Sequence, residues 1–337
     1  MTVLVTGAAG FVGGHVTDLL LSLGERPRAL VHPDDNAERL ELAGVEIYRG
    51  DIADRAALQP AVEGVDRIVH CAARMGPWGP PAEYERTNVR ALQLLVRIAV
   101  AAGVERIVHV SSITVHGNDL RGRGDESAPL REEPNPYSRS KVAGERLLAQ
   151  MIREEGAPVT VVRPGWIYGP RDSASFARLA RRIERHQMMM VGSGENHVPL
   201  IYVRDVARGV LLASEADEAE GKCYVLVNDE PVTQRDFIAA IAQELGAPLP
   251  ALRIPYGLAV RIGALAEFLG RLARSRQPPP VMRYGMQMLG GENRFSIARA
   301  RHELGFAPLV DLAEGVRRSV DWYRTPEVLA CAAGGPA

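Results

Sequence analysis

The stretch Thr6-Gly-Ala-Ala-Gly-Phe-Val-Gly-Gly-His15 constrains this chain more than any other. It follows the β-branched run Thr2–Thr6 and precedes an amphipathic stretch that Gly24 stops, so it reads as the turn between a first strand and a first helix. Gly7, Gly10 and Gly13 are spaced G-x-x-G-x-x-G. Glycine permits the tight turn and lets the backbone approach a pyrophosphate closely. The helix behind the turn then offers free N–H groups and a positive dipole end to the anion. A glycine pattern alone also fits a generic βα turn. The flanks and the place in the first βαβ unit argue for a dinucleotide cradle, with Gly7, Gly10, Phe11, Val12 and Gly13 as its binding positions.

The rest of the first half alternates in the same way. Strand-like runs at Arg28–His32, Val45–Asp51, Asp66–Ala73, Val104–Ser112 and Pro158–Gly165 are separated by helical stretches, one of them long, from Ala82 to Gly103. This alternation implies parallel βαβ units and a Rossmann-type doubly wound α/β sheet. Its later strands are nearly continuous in apolar residues, as strands covered on both faces are. The second half is less regular and reads as a smaller mixed α/β cap over the substrate. The expected division is 1–170 for the dinucleotide-binding domain and 171–330 for the cap, some of whose strands and helices return to the first core. Residues 331–337 form a tail.

Charge excludes little but says something about partners. Forty basic residues against 41 acidic ones give a net charge of -1, with no basic excess to argue for nucleic acid. The three cysteines, Cys71, Cys223 and Cys331, are scattered and lack metal-ligand spacing. No metal is expected, and a reducing, cytoplasmic setting is the simpler reading. No apolar run reaches the ~18 residues of a membrane span. The nearest, Gly257–Leu272, is interrupted by Arg261, Glu267 and Arg271.

The ends of the second and third strands report on the nucleotide. An acid at the end of the second strand would take the ribose hydroxyl of NAD, and a cation there the 2′-phosphate of NADP. This chain has His32, with Arg28 and Arg39 able to assist, and a plain solvent-exposed loop residue is the alternative. The cofactor is expected to be NAD or NADP, with NADP favoured because no acid ends the strand. Asp51, followed by Ile52, is placed to contact the adenine amino group, or is simply a turn-forming residue.

Tyr-Ser-Arg-Ser-Lys, residues 137–141, could be an ordinary helix start. Residues four apart share a helix face, so Tyr137 and Lys141 can also enter one site. An ammonium beside a phenol lowers the phenol's pKa and makes it a usable acid or base. The upstream cradle supports that reading, and so does Ser112 at the end of the fifth strand, where ligands of open α/β sheets lie.

Together, T-G-x-x-G-x-x-G, the strand-end S-S-x-x-V-x-G and Y-x-x-x-K resemble an extended short-chain dehydrogenase/reductase of the NAD-dependent epimerase/dehydratase superfamily, over nearly the whole chain. The resemblance implies that Tyr137 is the acid/base, that Lys141 also bonds the nicotinamide ribose, and that Ser112 positions the reacting oxygen. It implies cofactor contacts from Cys71, Ala72 and Ala73, from Asn88, and from Pro164 and Ile167. The downstream segments resemble the 3β-hydroxysteroid dehydrogenase branch, with its 2-alkyl-3-oxoalkanoate reductases. They imply an apolar secondary alcohol or ketone, a 3β-hydroxysteroid, sterol or 3-oxoalkanoate. Met75, Trp78 and Trp166 could line its pocket, or simply pack the core. His116 departs from the tyrosine common in relatives and stands where a substrate-facing residue is expected.

The alternative function is a nucleotide-sugar epimerase or dehydratase, which shares all three motifs and needs cations such as Arg171, Arg178 and Arg204. A homodimer through the two long helices of the first half is the family-level expectation. For Gly257–Leu272 a lid or subunit-facing helix is preferred over a peripheral membrane contact, which relatives of the branch can make.

Overall fold

The computed structural model describes residues 1–120, 122–326, 328 and 329. Cys331 and the 331–337 tail lie outside the described residues. Seven strands form one sheet: β1 Val3–Thr6, β2 Arg28–Val31, β3 Glu46–Arg49, β4 Arg67–His70, β5 Arg106–Val110, β6 Val159–Pro164 and β7 Cys223–Leu226. Their order is β7-β6-β5-β4-β1-β2-β3, and every neighbouring pair is parallel. The chain winds outward from β1 to β3, then crosses over and winds the other way from β4. The crossing leaves a crevice at the carboxyl ends of β1 and β4, where an open sheet of this kind binds its ligand.

The period of two along each strand sends alternate side chains to opposite faces. Val3 and Val5 of β1 face the helices Phe11–Ser22 and Val203–Glu215, and join Val16, Leu20, Val206 and Val210 in one core. Leu4, Ile68 and Ile107 face the helices Arg55–Val62, Ala91–Ala101 and Pro136–Glu155, and join Leu58, Leu92, Leu95 and Leu148 in a second. Thus β7 and the Val203–Glu215 helix, from the second half of the sequence, complete the central sheet and one of its layers. A third core, around Tyr168, Tyr202, Phe237, Ile241 and Val320, holds the remainder together. It is served by short two-stranded pairs such as Trp166–Tyr168 with Leu200–Tyr202. Among the described residues, no helix is long and apolar enough to cross a membrane.

Candidate active site

The glycine turn lies on the crevice, and its geometry requires glycine at two positions. Gly7 has φ +67°, and a Cβ there would sit 2.9 Å from the Ala72 backbone after β4. A Cβ on Gly13 would come within 2.3 Å of the Gly7 carbonyl oxygen, so the helix could not close against the turn. Gly10 caps that helix, and Phe11 and Val12 open it, which leaves their N–H groups at the anion-binding end. Such a bare, close-approaching turn fits a dinucleotide.

The helix Pro136–Glu155, which carries Tyr137 and Lys141, begins with Asn135 accepting from Ser138 N (2.9 Å) and Pro136 in its first turn, a favourable start. Tyr137, Lys141 and Glu145 recur every four residues along it, and all three are buried. Glu145 takes the Arg163 guanidinium from β6 through three hydrogen bonds of 2.6–3.1 Å, and Ser111 Oγ donates to it at 2.5 Å. This ion pair fastens the Pro136–Glu155 helix to the ends of β5 and β6. It was not singled out from the sequence, although Glu145 stands in step with Tyr137 and Lys141.

Ser112 caps the short helix Ile113–His116. Its Oγ accepts from Thr114 N (3.2 Å) and Thr114 Oγ1 (3.1 Å), so its own O–H is left to donate. Tyr137 is 4% exposed, and burial pushes its phenol up to about 12. A hydrogen bond with Ser112 works the other way, and Tyr84 adds to the rise. Lys141 is 3% exposed and its Nζ donates to Val110 O (2.9 Å). Burial lowers its pKa to about 8, while Glu145 and Cys71 pull it back up. The expected lowering of the tyrosine by the lysine is therefore reversed: desolvation of a buried phenol dominates, and the ammonium is turned to a backbone carbonyl. Tyr137 therefore stands protonated at neutral pH.

The turn after β4 is built by hydrogen bonds. Ala72 N donates to Thr6 Oγ1 (3.3 Å), and burial pushes the Cys71 thiol up to about 12. Asn88 lies in a π-helical turn, Glu85–Arg90, the kind of irregularity found at functional sites. Its Oδ1 accepts from Arg74 N (2.7 Å), and its Nδ2 donates to Arg74 O (3.0 Å) and Ser140 Oγ (2.8 Å). Asn88 thus ties this turn to the Pro136–Glu155 helix. Tyr84, one turn earlier and not foreseen, donates to Gly76 O (2.7 Å) and Trp78 O (3.0 Å), which holds the loop that follows. Tyr284, also not foreseen, comes from the Arg283–Gly290 helix of the second half. Burial raises its phenol's proton affinity, and it lies close enough to Tyr137 for that phenol to add to the rise. No motif around Tyr284 announces it.

Several other expectations are corrected by position. Arg28 begins β2 rather than ending it, and is held by Glu46 (3.0 Å), Ala61 O and Glu63 O, away from the ribose. Arg39 is paired with Asp18. His32, at the correct end, is half exposed and faces acids: its N–H donates to Asp35 and its ring lies 3.5 Å from Asp34. Asp51 forms the turn, accepting from Ala53 N (2.8 Å), and pairs with Arg86 (2.7 Å). These bonds outweigh burial and hold its carboxyl below the usual range. The Ile52 side chain enters the core. Pro164 ends β6, and Ile167 follows in the strand Trp166–Tyr168, paired with Ile201.

On the substrate side, His116 is buried with both ring nitrogens turned to protein, Nε2 to Arg163 (3.1 Å) and Nδ1 to Pro129 O (3.3 Å). That leaves no nitrogen for a substrate. Trp166 packs edge-on against Phe237 and donates to Ser175 Oγ (3.3 Å), in the third core. Trp78 instead bridges to the second half. Its Nε1 donates to Ser275 O (3.1 Å), Arg271 lies over its ring at 5.7 Å, and Gly270 leaves room for its edge. Met75, on the same loop, is 64% exposed. Arg171 is held by Asp18 (2.7 Å), and Arg178 and Arg204 are exposed.

The comparisons with known proteins agree with this geometry. Residues 3–226 match the NAD dependent epimerase/dehydratase family. The 2-alkyl-3-oxoalkanoate reductase of Stenotrophomonas maltophilia is 32% identical over 94% of this chain and 98% of its own. The 3 beta-hydroxysteroid dehydrogenase/Delta 5-->4-isomerase of Mycobacterium tuberculosis is 30% identical over 95% of this chain and 90% of its own. The crystal structure of gox2253 superposes with a TM-score of 0.81, at 31% identity, over 96% of this chain and 98% of that one. The chain belongs to the NAD-dependent epimerase/dehydratase family of extended short-chain dehydrogenases/reductases, in its 3β-hydroxysteroid dehydrogenase-like branch. It is an NAD(P)-dependent oxidoreductase that acts on CH–OH groups.

Proposed function

We propose that this enzyme interconverts a ketone and a secondary alcohol on an apolar substrate, of the 3-oxoalkanoate or 3β-hydroxysteroid type, with Tyr137 as acid/base. The observation that carries the reading is the convergence of Tyr137, Ser112 and Lys141, all buried, at the carboxyl ends of strands that also carry the glycine turn. In this reading residues 1–170 hold the cofactor and 171–330 shape the substrate side, with β7 and the Val203–Glu215 helix returned to the sheet.

The nicotinamide, when bound, supplies or accepts the hydride at the carbinol carbon. Ser112, whose hydroxyl hydrogen-bonds Tyr137, also donates to the substrate oxygen and fixes its place. In the reductive direction Tyr137 gives its proton to that oxygen as the carbonyl is reduced. Lys141, with a pKa drawn down to about 8, is poised to support the phenolate left behind. Trp78 and Met75 furnish apolar surface beside this point, and Tyr284 closes it from the second half.

Of the two cofactors, the acids beside His32 and the displacement of Arg28 favour NAD over NADP, against the expectation from sequence. The alternative of a nucleotide-sugar epimerase or dehydratase would need free cations near the site. Arg171 is engaged with Asp18, which weakens it. A homodimer through the Ala91–Ala101 and Pro136–Glu155 helices completes the proposal.

The test follows NADH and NADPH oxidation with 2-alkyl-3-oxoalkanoates, 3-oxosteroids and nucleotide sugars. The expected result is turnover with one of the first two classes and better kcat/KM with NADH. Turnover of nucleotide sugars alone, with NAD retained through purification, would overturn it.

A further inference from the structure

The helix that brings Tyr284 to the site does not cap itself. Arg283–Gly290 follows Met282, whose side chain supplies no cap. A helix leaves its first N–H groups without partners inside it, so another acceptor must take them. Here that acceptor is a carboxylate from a different helix. Glu267 stands on the inward face of Tyr256–Leu272 with Ala259 and Gly263, and is only 4% exposed. It accepts from the backbone N–H of Arg283 (2.8 Å) and lies 3.3 Å from the Arg283 guanidinium. The helix dipole favours an anion at this end. Gly263 lets the two helices close, since a Cβ there would come within 2.5 Å of the Arg283 backbone N. The far end is tied down as well. Leu289 O accepts from Asn196 Nδ2 (2.8 Å) and Gln234 Nε2 (3.1 Å), and Gly291 O accepts from Asn196 Nδ2 (2.9 Å).

The residue so placed, next after the capped one, is Tyr284. Its phenol is drawn out of water near that of Tyr137, and among the described residues nothing hydrogen-bonds its hydroxyl. A buried phenol ordinarily finds a partner. Tyr84, the other phenol near Tyr137, has its partners in Gly76 O and Trp78 O. Tyr284 is thus a fixed donor without a protein acceptor, beside the proton-handling group.

We propose that Tyr284 donates its O–H to a second oxygen of the substrate, beside the one that reacts, and that Glu267 positions it by capping its helix. The assignment rests on the proposed function. There the reacting ketone oxygen takes Ser112 and Tyr137, which fill its two lone pairs, so a third donor needs another acceptor. A 3-oxo acid carries one in its carboxylate, next but one to the ketone carbon. A 3-oxosteroid carries none near its ketone, so of the two classes the acid is the one Tyr284 serves.

The experiment measures affinity by calorimetry in the dead-end complex of the full chain with NAD and a ketone, where nothing turns over, and kcat separately with NADH. The probes are a 2-alkyl-3-oxoalkanoate and the simple ketone in which hydrogen replaces its carboxylate. Tyr284→Phe should bind the acid about tenfold more weakly, as expected on losing a hydrogen bond to a charged group. The simple ketone should lose far less, and the loss should appear in affinity rather than in kcat. Glu267→Ala should weaken the acid by a similar factor, and in the Tyr284→Phe background it should add nothing. Glu267→Asp, which keeps the charge but draws it back by one methylene, carries the same test where the alanine variant does not fold. No binding of the acid to wild type, unchanged affinity in Tyr284→Phe, or an equal loss for acid and simple ketone would overturn the role of Tyr284. Additive losses from the two substitutions would overturn Glu267 as its positioning residue. Acid that binds through Tyr284 yet is never reduced would count against the proposed function and not against this contact. Acid that Tyr284→Phe binds and reduces as wild type does would do the reverse.

Discussion

The sheet half and the second half, proposed above as a roof over its cleft, place their unusual residues in opposite ways. In the sheet half, polar and ionisable groups go inside and are held there: Lys141 on Val110 O, Asn88 on Arg74 and Ser140, Arg163 on Glu145. In the roof, apolar groups go outside, along the Tyr256–Leu272 helix. Burying a polar group is costly unless it is bonded, so the first arrangement specifies positions tightly and suits chemistry. Exposing apolar groups specifies no partner geometry and suits a surface that accepts or shelters greasy molecules. On the proposed function, the contrast assigns fixed reaction geometry to the sheet and substrate access to the second half.

The largest effect that would test this contrast is at Tyr137. Tyr137→Phe should lower kcat by about 10²–10⁴-fold, the usual range for a general acid. Cofactor affinity, followed by intrinsic fluorescence, should hardly change. Equal losses in turnover and cofactor binding would mean the phenol is structural. Next comes the anchor beneath it. Glu145→Gln leaves the Arg163 guanidinium buried without its anion, and the loss in unfolding free energy should be about 3–5 kcal/mol by urea titration. A loss near that of an exposed pair such as Arg146–Glu132 would refute the claim that the sheet half depends on buried polar bonds.

A smaller effect appears with pH. Burial, then Arg171, lowers His15 to about 4; burial, then Lys141, lowers His70 to about 3, and the same causes with His70 hold His109 well below 6.5. Below pH 6.5 the unfolded chain binds protons that the folded chain refuses. Stability should therefore fall as pH drops from 6.5, by about 1.4 kcal/mol per unit for each such group until its folded pKa is reached. The readout is the melting temperature between about pH 7 and pH 5. Both ring nitrogens of His109 are buried without a partner, so His109→Leu should be near neutral at pH 7 and shallower in its acid slope. An unchanged slope would remove His109 from the account.

The same contrast explains what could be read in the sequence. The glycine turn, the strand alternation and Tyr137–Lys141 were legible because a fixed backbone need leaves few residue choices: a Cβ at Gly7 or Gly13 would collide with the main chain. The membership of Cys223–Leu226 in the sheet was not placed, since a buried edge strand looks like any short apolar run. Arg28 was misjudged because strand direction, not sequence proximity, decides which end meets the ribose. His116 and Trp166 were placed near the substrate by their positions in the motif segments, with core packing the alternative for Trp166, and their partners Arg163 and Phe237 lie far off in sequence. Tyr284 was missed because it reaches Tyr137 only through the packing of two second-half helices.

The smallest expected effect lies where the two regions meet, at Trp78. Its ring is pinned by Gly270, Arg271 and Ser275 of the roof, while its carbonyl is held by Tyr84 of the sheet half. Trp78→Ala removes the roof contacts and spares the proton-handling groups. KM should rise roughly tenfold, about 1.4 kcal/mol of binding, with kcat within about twofold. Trp166→Ala offers the contrast, because that ring fills the third core against Phe237: it should lower the melting temperature and move KM little. If Trp78→Ala instead lowers kcat as steeply as Tyr137→Phe does, the roof takes part in the reaction geometry, and the separation of chemistry from access gives way.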